Sequence, residues 1–282
     1  MIPDRAKAAR DILAFYVEAG VDMAVGETPN DYLAGDPLPA APVQPAAPGL
    51  APALAPATPE PVRRAPPPGL PPLSAPAPSV PPGADAAVMA ARDAARNAKT
   101  MDELRAILEG FEGCALKATA SRLVFADGNP QARVMFVGEA PGRDEDIEGL
   151  PFVGRSGKLL DRMLSAVGLD RTKVYIANIV PWRPQGNRTP TPVETQICLP
   201  FLLRQIELCA PDIVVTMGNP STQTLLQISD GITRTRGRWF PFKSGDRDIR
   251  VMPTFHPAFL LRSPLQKRFA WRDFLAIKKA LG

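Results

Sequence analysis

Glu139, Glu145 and His256 are the side chains whose types and settings suit proton transfer or charge stabilisation. Glu139 follows the apolar run Val134-Met135-Phe136-Val137 and Gly138, which reads as a buried strand broken by Gly138, Pro141 and Gly142. A turn of that kind exposes backbone N–H groups. An acidic cluster, Asp144-Glu145-Asp146, comes next, and then Pro151-Phe152-Val153-Gly154 displays an aromatic ring. His256 is the only histidine in 282 residues, and it follows another apolar run directly before Pro257. A strand end carrying Glu139, a glycine turn, several carboxylates and a displayed aromatic make a candidate site. A nucleotide loop does not fit, since Gly149-x-x-x-x-Gly154 continues as Arg155-Ser156 and Lys158 comes too late. The competing reading is turn punctuation, with Asp144 and Asp146 as solvated loop charges.

Regular elements must hold these residues in place. Val134–Val137, Val174–Val180, Ile213–Met217 and Ile249–Thr254 read as the main strands, with Leu123–Phe125 as a short edge strand. Helices are expected over Leu159–Val167, Val193–Cys209, Ser221–Ile228 and Leu265–Leu281. The helix from Val193 is capped by Thr191 with Pro192 in its first turn. Strands alternating with helices predict a three-layer α/β/α fold around a central, mostly parallel, four-stranded sheet. Sites in such sheets lie outside the carboxyl ends of the strands, where Glu139, Asn178, Asn219 and His256 fall.

Composition divides the chain. Residues 37–82 hold 18 of the 34 prolines, so 36–83 is expected to be an extended, disordered linker. Ala6–Val17 has helical periodicity and makes 1–35 an N-terminal helical segment, docked on its own domain or on a partner, or left as a weakly ordered tail. Asp85–Ala98 reads as an alanine-rich lead-in within 84–99, and the globular domain as 100–282, opened by the capping box Thr100-x-x-Glu103. Residues 1–99 carry a net −2 and residues 100–282 a net +6, while Arg234–Gly282 alone has 12 basic residues against 3 acidic ones. That concentration predicts a polyanion-facing surface at the C-terminal end. Three scattered cysteines exclude a disulfide framework and suit a reducing cytoplasm. No apolar run approaches the ~20 residues of a membrane span, and residues 1–20 lack a signal-peptide apolar region.

The ordered set Gly138-Glu139-Ala140-Pro141-Gly142-x-x-Glu145-Asp146 and Gly149-x-Pro151-Phe152-Val153-Gly154 resembles the family 4 uracil-DNA glycosylases. Tyr175-Ile176-Ala177-Asn178, Arg183-Pro184-x-Gly186-Asn187-Arg188-x-Pro190 and His256-Pro257-Ala258 extend the resemblance over residues 100–282. It implies a base-excision enzyme that flips uracil out of DNA and hydrolyses its N-glycosidic bond, leaving an abasic site. His256 would donate a hydrogen bond to the uracil O2 as the base leaves, as a preorganised donor that need not be a cation. Backbone N–H groups around Ala140 and Gly142 can address the same oxygen. Glu139 and Glu145 would share stabilisation of the sugar cation and orientation of the attacking water, in either order. Phe152 would stack on the flipped base, and Asn178 would read the uracil O4/N3–H edge and disfavour cytosine. Leu261 or Arg262 would be the wedge entering the DNA, with Arg183, Asn187, Arg188, Lys267 and Arg268 on phosphates.

The resembled family holds a [4Fe–4S] cluster on four cysteines. This chain has Phe111 and Trp182 at two of those positions and Cys114 and Cys198 at the others, with Cys209 outside the set. Two thiolates are too few, so no cofactor is expected and the aromatics are expected to pack in the cluster's place. One branch of the superfamily traps its substrate covalently through a histidine in an extra loop, a route closed here unless His256 serves it. Other functions with this fold are a uracil- or abasic-DNA binder of weak turnover, and an adaptor whose N-terminal arm recruits a protein partner. A monomer acting on uracil-containing DNA is the expectation carried forward.

Overall fold

The computed structural model of the protein describes residues 83–282. The helical segment at 1–35 and the proline-rich linker, up to residue 82, lie outside the described residues. Six strands form one sheet: β1 (Asp127–Gly128), β2 (Val134–Gly138), β3 (Tyr175–Asn178), β4 (Ile213–Met217), β5 (Phe240–Ser244) and β6 (Arg247–Thr254), in the order β1-β3-β2-β4-β6-β5. The central four run parallel, and β1 and β5 pair antiparallel at the two edges.

The expected sheet of four strands is therefore the centre of a sheet of six. No strand forms at Leu123–Phe125; the edge strand is at Asp127–Gly128. Strand β5 leaves no apolar run in the sequence, because its burial alternates between half-buried and exposed along Phe240-Pro241-Phe242-Lys243-Ser244.

Helices α1 (Ala84–Asn97), α2 (Met101–Gly110) and α5 (Pro192–Cys209) share one core cluster with Met135, Val137, Tyr175, Ala177, Val214 and Val251. Helices α4 (Arg155–Ala166) and α9 (Lys267–Leu281) share the other with Val134, Phe136, Ile176, Ile213, Val215 and Met252. Successive residues of each central strand thus point into opposite cores, which explains their unbroken apolar runs. Short helices α3 (Arg143–Glu148), α6 (Asn219–Leu226), α7 (Ile232–Thr235) and α8 (Pro257–Arg262) lie in the loops.

Two boundaries differ from expectation. The acidic stretch at 144–146 is not a solvated loop but helix α3, in which Glu145 and Asp146 are buried. The alanine-rich lead-in is part of the packed unit, since Ala87, Ala91, Ala95 and Ala98 are buried in the core that contains α5. Arg204 of α5 also donates to the Ala98 carbonyl at 2.9 and 2.6 Å. A boundary at residue 100 would cut through this packing.

Sheet register positions the site. Gly138 pairs with Asn178, and Met217 pairs with Thr254, so β2, β3, β4 and β6 end at one edge of the sheet. The helix following β2 into its core is α4, whereas those following β3 and β4 (α5 and α6) pack into the opposite core. The chain thus parts to opposite faces around the end of β2, and such a switch point opens a crevice. Among the described residues, no helix is long and apolar enough to cross a membrane.

Candidate active site

A cleft of about 700 Å³ opens at that crevice, lined by Glu139, Ala140, Gly142, Glu145, Phe152, Asn178 and His256 among others. The walls also include Asn187, Arg188, Thr189 and Pro190 from the loop after β3, Gly218 and Asn219 after β4, and Ile232 and Thr233 of α7. The cleft therefore draws together residues more than a hundred positions apart in the chain.

Of the two glutamates lining the cleft, Glu139 is the unsatisfied one. Its Oε1 is buried with no hydrogen-bond partner, and burial raises its pKa above the ordinary glutamate value. An unpaired, desolvated carboxylate is a strong acceptor for a proton or for cationic charge that develops beside it. Glu145 is the opposite case. Its Oε2 accepts from the Gly142 N–H at 3.0 Å, and its Oε1 accepts from the N–H groups of Val153 and Gly154 at 3.1 and 3.0 Å. Both oxygens are committed to backbone, so Glu145 ties the turn after β2 to the Phe152 loop. The Gly142 N–H, expected to face a ligand oxygen, is consumed by that tie, while no bond from the Ala140 N–H is found among the described residues.

Asp146 also has a framework role: its Oδ1 accepts from the N–H groups of Ser121 and Arg122 at 2.8 and 3.4 Å. Asp144 alone of the cluster is exposed.

His256 caps α8. Its Nδ1 accepts from the Ala258 N–H at 3.1 Å, which leaves the proton of the neutral ring on Nε2. Burial, and then the positive charge of Arg262, lower its pKa to about 4. The ring is therefore a neutral donor across the physiological range, which a single histidine before a proline could not disclose.

Phe152 is buried rather than displayed, its ring centroid 5.4 Å from that of His256 with 33° between the planes. Its backbone is left-handed, with φ at 55°. Glycines make this close floor possible: a Cβ on Gly138 would lie 2.3 Å from Asn178 Oδ1 and 2.7 Å from Phe152 Cζ. Asn178 is buried and its Oδ1 has no partner, an unmet acceptor that an entering N–H can satisfy.

The residues expected on DNA divide into two groups. Asn187, Arg188 and Arg262 line the cleft, and Leu261 and Arg262 share a shallower depression beside it. Arg183 donates to Asn187 Oδ1 at 2.7 Å, and Arg188 is paired with Glu194 at 2.6 Å. Lys267 instead edges an apolar groove with Leu159 and Trp271, and Arg268 lies over the Phe269 ring, so neither lines the cleft.

The iron–sulfur positions gather inside the α1/α2/α5 core. Cys198 Sγ donates to Cys114 Sγ at 3.7 Å, Trp182 is buried, and Phe111 meets Phe201 edge-on at 5.1 Å between centroids. Two thiols in contact leave no volume between them for a four-iron cluster, and the other two positions offer no sulfur. These residues do not fit the cluster.

Comparison with known proteins agrees with the geometry. The family described as Uracil DNA glycosylase superfamily matches residues 125–275. A type-4 uracil-DNA glycosylase of Sulfurisphaera tokodaii is 40% identical over 187 residues, 64% of this chain and 85% of the relative. That of Archaeoglobus fulgidus is 36% identical, covering 65% of this chain and 94% of the relative. That of Thermotoga maritima is 44% identical, over 53% of this chain and 77% of the relative. The strand-end cleft, its carboxylates and the matched span together place the chain in the uracil DNA glycosylase superfamily, on its type-4 branch.

Proposed function

We infer that the protein is a uracil-DNA glycosylase of base-excision repair, hydrolysing the bond between uracil N1 and the deoxyribose C1′ to leave an abasic site. The observation that carries this reading is that one cleft holds both a half-buried carboxylate with an unsatisfied oxygen, Glu139, and a neutral donor, His256. As the C1′–N1 bond breaks, the sugar becomes cationic and the base anionic. Glu139 faces the first charge and accepts a proton from the attacking water; the Nε2–H of His256 donates to O2 of the departing base. Phe152 supplies the surface under the flipped base, and Asn178 takes the uracil edge. Glu145 acts through the loop it braces.

On this reading the enzyme works without an iron–sulfur cluster, which is supported by Trp182, Phe111 and two thiols in contact at the positions of the usual ligands. Substrate DNA would run along Arg262 and the Asn187–Arg188 loop. The recruiting role assigned to residues 1–35 rests on their helical apolar pattern and the linker that tethers them. Cleavage of uracil-containing single- and double-stranded oligonucleotides, with product release followed separately, tests the reading. Stoichiometric binding of uracil DNA without cleavage would instead make the protein a binding module.

A further inference from the structure

Phe152 lies under the proposed base site in a backbone conformation that a phenylalanine does not adopt readily, with φ at 55°. Something outside the cleft must hold it there. Its carbonyl oxygen accepts a close hydrogen bond from Nη2 of Arg171, and the Pro151 carbonyl accepts from Nη1 of the same residue at 3.1 Å. Arg171 is held in turn by two carboxylates, Asp161 on α4 at 2.8 Å and Asp127 on β1 at 2.5 Å. Gly157 completes the grip, since a Cβ there would lie 1.7 Å from the Phe152 oxygen.

We propose that Arg171 is a positioning residue for the proposed glycosylase reaction, fixing the Phe152 ring beneath the flipped base through the two carbonyls of the 151–152 turn. The inference rests on the uracil-glycosylase reading given above. Arginine suits the task because a planar guanidinium presents five donors in a fixed fork. Here the fork serves four acceptors on three separate elements. A lysine ammonium is a single point and cannot span them. The side chain is itself only 26% exposed and does not line the cleft, so it acts through Phe152 and not on substrate. Burial acts against the charge, but the bonds and charges of Asp127 and Asp161 outweigh it and raise the guanidinium's pKa.

The test is a double-mutant cycle of Arg171→Gln with Phe152→Ala, read as single-turnover cleavage of a uracil oligonucleotide and as affinity for undamaged duplex. Loosening the turn by ~1 Å is expected to lower cleavage about a hundredfold. Affinity for undamaged duplex should stay within about twofold, because Arg171 is outside the cleft. In the Phe152→Ala background the further loss should shrink below about threefold, the non-additivity expected of residues acting as one unit. Asp161→Asn, which removes one ion pair but neither carbonyl bond, should lower thermal stability and slow cleavage less than Arg171→Gln does. Should Arg171→Gln fail to fold, Arg171→Lys enters the same cycle, with a smaller loss and the same loss of additivity expected. Equal losses in both Phe152 backgrounds, or wild-type cleavage by the Arg171 variant, would overturn the proposal. A wild-type protein inactive on uracil would sink the glycosylase reading instead, which keeps the two failures apart.

Discussion

Glu139→Gln and Glu145→Gln should differ in both stability and rate: the first should slow cleavage without lowering Tm, and the second should lower Tm first. In Glu145→Gln one side-chain oxygen remains and can still accept from Val153 and Gly154, but the amide nitrogen replaces the oxygen that accepts from Gly142. Two donors then face each other at 3.0 Å. Losing one charge-assisted bond and leaving a donor unmet costs about 2–3 kcal/mol. For a domain of this size that corresponds to a fall in Tm of roughly 4–12 °C. Glu139→Gln removes a half-buried charge whose Oε1 has no partner, so its desolvation cost disappears and Tm should hold or rise. Its rate should fall by about two to four powers of ten, as for loss of a general base. Thermal melts and single-turnover cleavage on the same oligonucleotide measure both quantities. A Glu145→Gln variant with unchanged Tm and a rate loss exceeding that of Glu139→Gln would refute the division and return Glu145 to the chemistry.

His256→Ala should lower cleavage by about two to three powers of ten, the worth of one donor to a developing anion, while DNA affinity, followed against salt, changes little. Because His256 titrates near 4, cleavage should show no His-dependent change between neutral pH and about 5. The acid limb should instead come from Glu139, above the ordinary glutamate value, and vanish in the single-turnover pH profile of Glu139→Gln. For stability the sign is fixed by the depressed histidine value: the unfolded chain binds the proton first, so stability present above about 6.5 is lost as pH falls toward 4, by roughly 3 kcal/mol from this group. Asn178→Asp should weaken uracil cleavage and admit some cytosine, whose amino group needs an acceptor; a base-selectivity assay reads both. A chain starting at Lys99 uncovers the surface that Ala87, Ala91, Ala95 and Ala98 bury, a loss on the order of 5 kcal/mol for ~200 Å² of apolar area. It should melt far below a chain starting at Ser79. Purified protein should lack absorbance near ~400 nm and bound iron, and Cys114→Ala/Cys198→Ala should keep its cleavage rate, because neither thiol lines the cleft.

The parts of the fold legible in the sequence were those whose pattern is set by burial on both faces. Val134–Val137 and Ile213–Met217 are unbroken apolar runs because each alternate residue enters a different core, and they were placed to within a residue. Edge strands receive no such stamp. β5 buries neither face fully, and β1 is two residues long. Helix α1 is legible in the sequence but its attachment is not, since an alanine face looks the same whether it meets solvent or shares a core with Phe201 and Leu202.

For the site, residue type and position after a strand brought Glu139, Asn178 and His256 to one cleft, but they could not say which carboxylate is free. That distinction depends on three backbone N–H groups converging on Glu145, two of them from a loop eight and nine residues away. A carboxylate stripped of partners and one saturated with them have the same sequence signature and opposite chemistry. Arg171 illustrates the same point from outside the cleft: it lies 19 residues after Phe152, in an ordinary turn before β3, and only the folded chain brings its guanidinium to the Phe152 carbonyl. Chemistry in this protein is therefore divided by hydrogen-bond satisfaction rather than by residue type. Glu139 is left unsatisfied at the end of β2, while the neighbouring polar groups of Glu145, Asp146 and Arg171 are spent on holding the turns around it.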